Sequence, residues 1–133
     1  MAEIKVGTEI PSLTLAPITR QCLALYAGAS GDHNPIHIDS DFAKKAGMED
    51  VFAHGMLSMA YLGRMLTDWQ PQSRLRKFQS KFSAITQLQD LITCSGKVIE
   101  IIELSDETLA RCEVQAAKVS GEQTLIGEVL VSI

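Results

Sequence analysis

The chain has 133 residues, the size of one ordinary domain, with 46% hydrophobic and 21% charged residues and length enough for a core of its own. Its formal net charge of −4 excludes the basic balance typical of nucleic-acid binders, and no apolar run approaches the length of a membrane span. Aromatics make up only 5% of the chain, so the core is expected to rest on Leu, Ile, Val, Ala and Met. Met1-Ala2-Glu3-Ile4-Lys5 lacks the apolar stretch of a signal peptide. Cys22, Cys94 and Cys112 are odd in number and show no Cys-x-x-Cys spacing, so they read as buried free thiols in a reducing compartment. A single soluble, cytoplasmic domain over residues 1–133 is expected.

In chain order, Ile18, Cys22, Leu25, Tyr26 and Ala29 share one helical face, and Ser30-Gly31 is a stop signal. Asp39-Ser40-Asp41 is suited to cap a short helix from Phe42 to Ala46, closed by Gly47. From Gly55 to Trp69, Met56, Leu57, Met59, Tyr61, Leu62 and Met65 spread around almost the whole circumference. That pattern predicts a helix buried within a fold rather than lying on it. Arg64 and Asp68, four residues apart, form its polar side.

After Pro71 the period changes to two. Phe78, Ser80, Phe82 and Ala84 define one face; Ile92, Cys94, Gly96 and Val98 a second; Ala110, Cys112, Val114 and Ala116 a third. Leu125, Gly127, Val129, Val131 and Ile133 define the last. Four strands, with turns at Ser105-Asp106-Glu107 and Ser120-Gly121-Glu122, predict an antiparallel meander with one apolar face. Only the Gly55–Trp69 helix is apolar enough to cover that face. The expected fold class is α+β, a sheet wrapped around a central helix.

The richest chemistry lies between the first two helices, in Ala29-Ser30-Gly31-Asp32-His33-Asn34-Pro35-Ile36-His37. Pro35 fixes its own φ and keeps Asn34 out of the helical region, so the segment is read as a bent loop. Such a bend can aim Asp32 and His37 at one point, as a general acid and base sharing a water require. The start of the Gly55 helix offers free N–H groups to a developing negative charge.

These residues carry a resemblance. Tyr26-Ala27-Gly28-Ala29-Ser30-Gly31-Asp32-His33-Asn34-Pro35-Ile36-His37 resembles the signature of the MaoC-like, R-specific enoyl-thioester hydratases and dehydratases. Phe52-Ala53-His54-Gly55-Met56-Leu57 resembles the helix start of the same family. The resemblance covers essentially the whole chain. It implies the hot-dog fold, a homodimer with two helices on one continuous sheet, and a thioester substrate on coenzyme A or acyl carrier protein, with no cofactor. By position, Asp32 and His37 match the catalytic pair and Asn34 the motif asparagine. Gly55 matches the residue whose N–H faces the thioester oxygen. The chain departs from the pattern at Ile85, where many members have proline, at Gln89-Asp90 in place of Gly-Asp, and at Gly63, where some members have serine.

Hydrating an α,β-unsaturated thioester requires water to lose a proton as it attacks Cβ, Cα to gain one, and the enolate charge to be held between. Asp32 and His37 are read as gripping that water, with Asp32 the base and His37 the proton donor, strongly coupled. Gly55 lets substrate approach the helix N-terminus. Asn34 reads either as loop organiser or as substrate contact, and Met56 either as core filling or as a contact to the acyl chain. His33 reads as a surface residue and His54 as a hydrogen-bonding support of the helix start. A metal site from Asp32, His33, His37 and His54 lacks ligand spacing on a rigid element. Arg74, Arg76, Lys77 and Lys81 read as a solvated strand face, or as partners of coenzyme A phosphates or an acidic carrier.

The leading expectation is reversible hydration of trans-2-enoyl-CoA to (R)-3-hydroxyacyl-CoA. A dehydratase acting on acyl carrier protein is the alternative within the chemistry. Thioester hydrolysis has only Ser58 to recruit in the first helical turn. A non-catalytic acyl-thioester-binding subunit stands against the retention of both Asp32 and His37.

Overall fold

The computed structural model describes residues 3–133; Met1 and Ala2, part of the N-terminal reading above, lie outside them. Strand β1 (Glu9–Thr14) leads into α1 (Arg20–Ser30), a 3-10 turn (Pro35–His37), α2 (Ser40–Lys45) and the long α3 (Gly55–Trp69). Four strands follow: β2 (Leu75–Phe82), β3 (Ile92–Glu103), β4 (Thr108–Lys118) and β5 (Gln123–Ser132). They form one antiparallel sheet in the order β1-β3-β4-β5-β2. Among the described residues no helix is long and apolar enough to cross a membrane.

The expected helices form, with small shifts explained by their caps. Thr19 accepts from the Cys22 N–H, so α1 begins at Arg20 and leaves Ile18 outside it. Gly31, at φ 77°, ends α1 and returns its N–H to Ala27. Asp39 caps α2 through the N–H groups of Asp41 and Phe42. Asp50 then ties the following loop down: it bonds Ser40 and its own neighbour's Val51 N–H, and pairs with Arg20. Those bonds, led by Ser40, hold the Asp50 carboxyl down to about 2.

The sheet differs from the expectation in two ways. A fifth strand, β1, pairs with β3, although its short run interrupted by Pro11 carries no clear alternation. The meander is confined to β3, β4 and β5; β2 crosses the sheet to pair with β5, not β3. Between β2 and β3 the chain runs from Ser83 to Leu91 beside a second small core that includes Val51, Ala53 and Leu57, where Leu88 packs and Gln87 bridges to Phe52, before it re-enters the sheet. Ala84 falls in that connection, outside β2.

The alternating faces are otherwise as predicted. Ile92, Cys94, Val98, Ala110, Cys112 and Val129 are fully buried against Leu62, Met65 and Leu66 of α3. One row of facing residues crosses all five strands and holds two glycines: Ile10, Gly96, Val114, Gly127 and Ser80 lie opposite one another in turn. A Cβ on Gly127 would stand 2.6 Å from the Gln79 carbonyl oxygen, and one on Gly96 2.8 Å from that of Glu113. Only glycine allows strands so close, which is what coiling the sheet around a helix demands. Cys94 and Cys112 are buried free thiols, pushed up to about 11 by burial, while Cys22 is only half-buried.

Helix α3 is not buried on every side. Met56, Ala60, Arg64 and Thr67 form an exposed stripe, with Met56 54% exposed. The sheet and the second small core cover the rest of the helix, and among the described residues this stripe stays open.

Gln89 sits in the left-handed region at φ 69°, at one of the positions where the sequence departs from the glycine expected there. Its N–H bonds the Ile18 carbonyl, which holds it in place. The left-handed region costs a side chain about 1–2 kcal/mol, partly offset on substitution by glycine's greater freedom in the unfolded chain. Gln89→Gly is therefore expected to raise stability by up to about 1 kcal/mol in urea denaturation; a loss of stability would show that the side chain makes good its strain.

Candidate active site

The Asp32 loop is built from its own side chains. The Asp32 N–H donates to Ser30 Oγ (3.2 Å), the Asp32 carboxylate accepts from the Asn34 N–H (3.2 Å), and Asn34 Oδ1 accepts from the Ile36 N–H (3.1 Å). Each is a local polar cap of the kind Asp and Asn favour in turns. Pro35 opens a single 3-10 turn, so the bent loop carries one short helical turn that the proline itself begins. That turn delivers His37 beneath the segment leading into α3.

There two imidazoles meet. His37 Nδ1 lies 2.8 Å from the Phe52 carbonyl oxygen, and His54 Nε2 lies 3.1 Å from the Asp32 carbonyl oxygen. A carbonyl only accepts, so His37 carries its proton on Nδ1 and His54 on Nε2. His37 Nε2 is left as a lone pair. The rings stack with centroids 3.9 Å apart and planes 27° from parallel, and Tyr26 meets His54 edge-on at 4.9 Å. One Asp32 oxygen and one nitrogen from each histidine lie within 4.8 Å of one another. Two groups bonded to one water at ordinary lengths stand about 4.6 Å apart, a separation that falls within this limit. The same donors are within reach of one metal ion. The His54 Nε2, however, is committed to the Asp32 carbonyl. His33 lies exposed and outside the cluster.

Gly55 opens α3 directly after His54, and its N–H and that of Met56 have no acceptor within the helix. The missing Cβ has a second consequence not legible in the sequence: it would stand 2.8 Å from the Phe82 ring, which rests on the glycine. A cavity of about 330 Å³ opens beside it, lined by Phe52, Ala53, Gly55, Ser58, Phe82 and Ile85 among others. Met56 is exposed and not part of that cavity's lining, and the Asn34 side-chain oxygen is engaged within the loop. A larger hollow of about 930 Å³ lies on the outer face of the sheet, where Lys81, Lys97 and Arg111 face Glu9, Glu113 and Glu128. It includes no residue of the Asp32 loop. Of the basic stretch, Arg76 pairs with Glu107 and Lys77 with Glu128, while Arg74 bonds Gln70.

Burial holds His54 below its ordinary value of 6.5; the bond to the Asp32 carbonyl opposes this and the neighbouring His37 adds to it. Tyr26 is raised, by burial first and then by the Asp32 charge. A histidine depressed in the folded state binds fewer protons there than in the unfolded chain. Its contribution to stability is complete above about pH 6.5 and is lost as pH falls from there through the native value. Urea midpoints should accordingly fall with pH in that window, and less so once His54 is replaced; an unaltered pH dependence in the variant would contradict this origin.

Comparison with known proteins matches residues 4–120 to the MaoC like domain. The (R)-specific enoyl-CoA hydratase of Rhodospirillum rubrum is 28% identical over 118 residues, 87% of this chain and 80% of that protein. The fatty acid synthase subunit beta of Saccharomyces cerevisiae is 35% identical over 85 residues, 60% of this chain, and this chain spans only 4% of that subunit's length. The unliganded R-hydratase PhaJ1 of Pseudomonas aeruginosa superposes with a TM-score of 0.85 at 27% identity, covering 97% of this chain and 81% of its own. With the family match running over nearly its whole length and the sheet wrapped on α3 as in its structural neighbours, the chain belongs to the MaoC-like domain family and has the hot-dog fold.

Proposed function

We propose that this protein is a hydro-lyase that reversibly hydrates trans-2-enoyl-CoA to (R)-3-hydroxyacyl-CoA. The observation that carries the reading is the convergence of the Asp32 carboxylate and His37, at a spacing one water bridges, beside the free N-terminus of α3. The water donates one hydrogen bond to Asp32 and one to the His37 Nε2 lone pair. As its oxygen attacks Cβ, the proton passes to this coupled pair, with Asp32 the leading base, and the π electrons move onto the thioester oxygen. The Gly55 N–H and the helix dipole hold that charge. The pair then returns the proton to Cα from the same face. His37 serves as that donor by relay: the new hydroxyl passes its remaining proton to His37 Nε2 as it takes back the one held by Asp32, and His37, whose Nδ1–H stays bonded to the Phe52 carbonyl, gives the Nε2 proton to Cα. The acyl chain runs past Gly55 towards the cavity at Phe82, with Asn34 and Met56 at its margins.

Dehydration of a carrier-bound (3R)-hydroxyacyl thioester is the second reading, supported by the likeness to fungal fatty acid synthase subunits. Turnover of crotonyl-CoA against crotonyl-carrier protein separates the two. Asp32→Asn and His37→Gln are each expected to lower the hydration rate by about 10²–10⁴-fold, followed as loss of enoyl absorbance, with unchanged circular dichroism. Wild-type rates in either variant would remove the mechanism, and acyl-CoA binding without any turnover would favour a binding subunit.

The working form is a cytoplasmic homodimer. The outer edge of β2 is unpaired within the chain, and the Met56–Ala60 stripe and Phe82, 51% exposed, lie open. Pairing two β2 edges makes one continuous sheet and covers that surface. Light scattering should report twice the chain mass of 14.5 kDa; a stable monomer would contradict the assembly.

A further inference from the structure

We infer that His54 is a positioning residue for this hydration: its Nε2–H holds the Asp32 main chain so that the carboxylate stays in register with His37. The inference rests on the function proposed above and assigns a role to a residue outside the acid–base pair. Residues 31–35 are all exposed; the Asp32 N–H bonds Ser30 Oγ at the end of α1, and the side-chain bonds of Asp32 and Asn34 stay within the loop. These bonds shape the loop and join it to the end of α1, on one side only. Among the described residues, the hydrogen bond that ties Asp32 to the segment entering α3 is the one from His54.

His54 is itself immobile. It is 2% exposed, stacked on His37 on one side and met by the Tyr26 edge. The titratable groups facing it are Tyr26 from α1, Asp32 from the loop and His37 from the 3-10 turn. One rigid ring thus touches both members of the proposed pair, and the Asp32–His37 separation is set through it.

A second observation separates this role from simple packing. His54 Nδ1 is buried with no hydrogen-bond partner, which costs a folded protein stability. A phenylalanine ring would fill the same slot and stack on His37 without an orphaned nitrogen. What it could not supply is the donor at Nε2. The histidine is therefore a stability defect whose return is the bond to Asp32, and this makes opposite predictions for folding and for rate.

The test compares His54→Phe and His54→Gln in the intact protein, with crotonyl-CoA as substrate. His54→Phe keeps the ring and loses the donor; His54→Gln keeps an Nε2–H at similar reach and loses the ring. His54→Phe should lower kcat about 100-fold, as a small misplacement of a catalytic group does, leave KM within about twofold, and melt no lower than wild type. His54→Gln should recover most of the lost kcat. Either His54→Phe turning over like wild type, or the two variants failing alike, or the loss appearing in KM or in melting temperature, would overturn the inference while leaving the proposed reaction standing. A wild-type protein that hydrates no enoyl thioester would overturn both.

Discussion

Two hydrogen bonds from imidazole nitrogens to main-chain carbonyls, His37 to Phe52 and His54 to Asp32, are the constraint on which the site depends. Each removes a choice. The first decides which nitrogen of His37 is free, and so where a proton can be taken up. The second binds an exposed acidic loop to the start of a buried helix. Because the two rings stack, neither bond can shift without disturbing the other. A carboxylate on a surface loop would otherwise sample many positions at little energetic cost, and general acid–base chemistry needs one.

The fold supplies this constraint by putting a helix start, not a helix flank, at the meeting point. Helix α3 is clasped by the sheet along Leu62, Met65 and Leu66, so its N-terminus is delivered to the small core of Val51, Ala53 and Leu57 where the loop arrives. The glycine row through Gly96 and Gly127 lets the strands close around the helix, and the Asp50 bonds hold the segment that enters it. Unsatisfied N–H groups at the start of α3, the Asp32–His37–His54 cluster and the cavity beside Gly55 are then brought to one end of the helix. The same geometry leaves the β2 edge and one stripe of α3 uncovered.

Much of the site could be read from residue order alone, because the chemistry is written in local spacing. The turn made by Asp32, Asn34 and Pro35 is a matter of short polar side chains and a fixed φ, and such effects do not wait for tertiary contacts. Helix α3 was legible in the same way, to its first and last residues. The core-filling reading of Met56 does not hold at 54% exposure, for a physical reason: an apolar residue looks alike in sequence whether it faces the sheet or an uncovered stripe. Tyr26 and Phe82 are legible as members of a helix and a strand, but not their contacts with His54 and Gly55, which form across the fold.

Residue order alone encodes the helices, the alternating strands and the placing of an acid and a histidine in one bent loop, since all of these follow from periodicity and backbone preference over a few residues. It takes the folded chain to bring β1 into the sheet, to carry β2 across to β5, to rest Phe82 on Gly55 and to tie Asp32 to His54. Those outcomes depend on contacts between segments tens of residues apart. Their register is set by the closure of the sheet around α3, which no local pattern encodes.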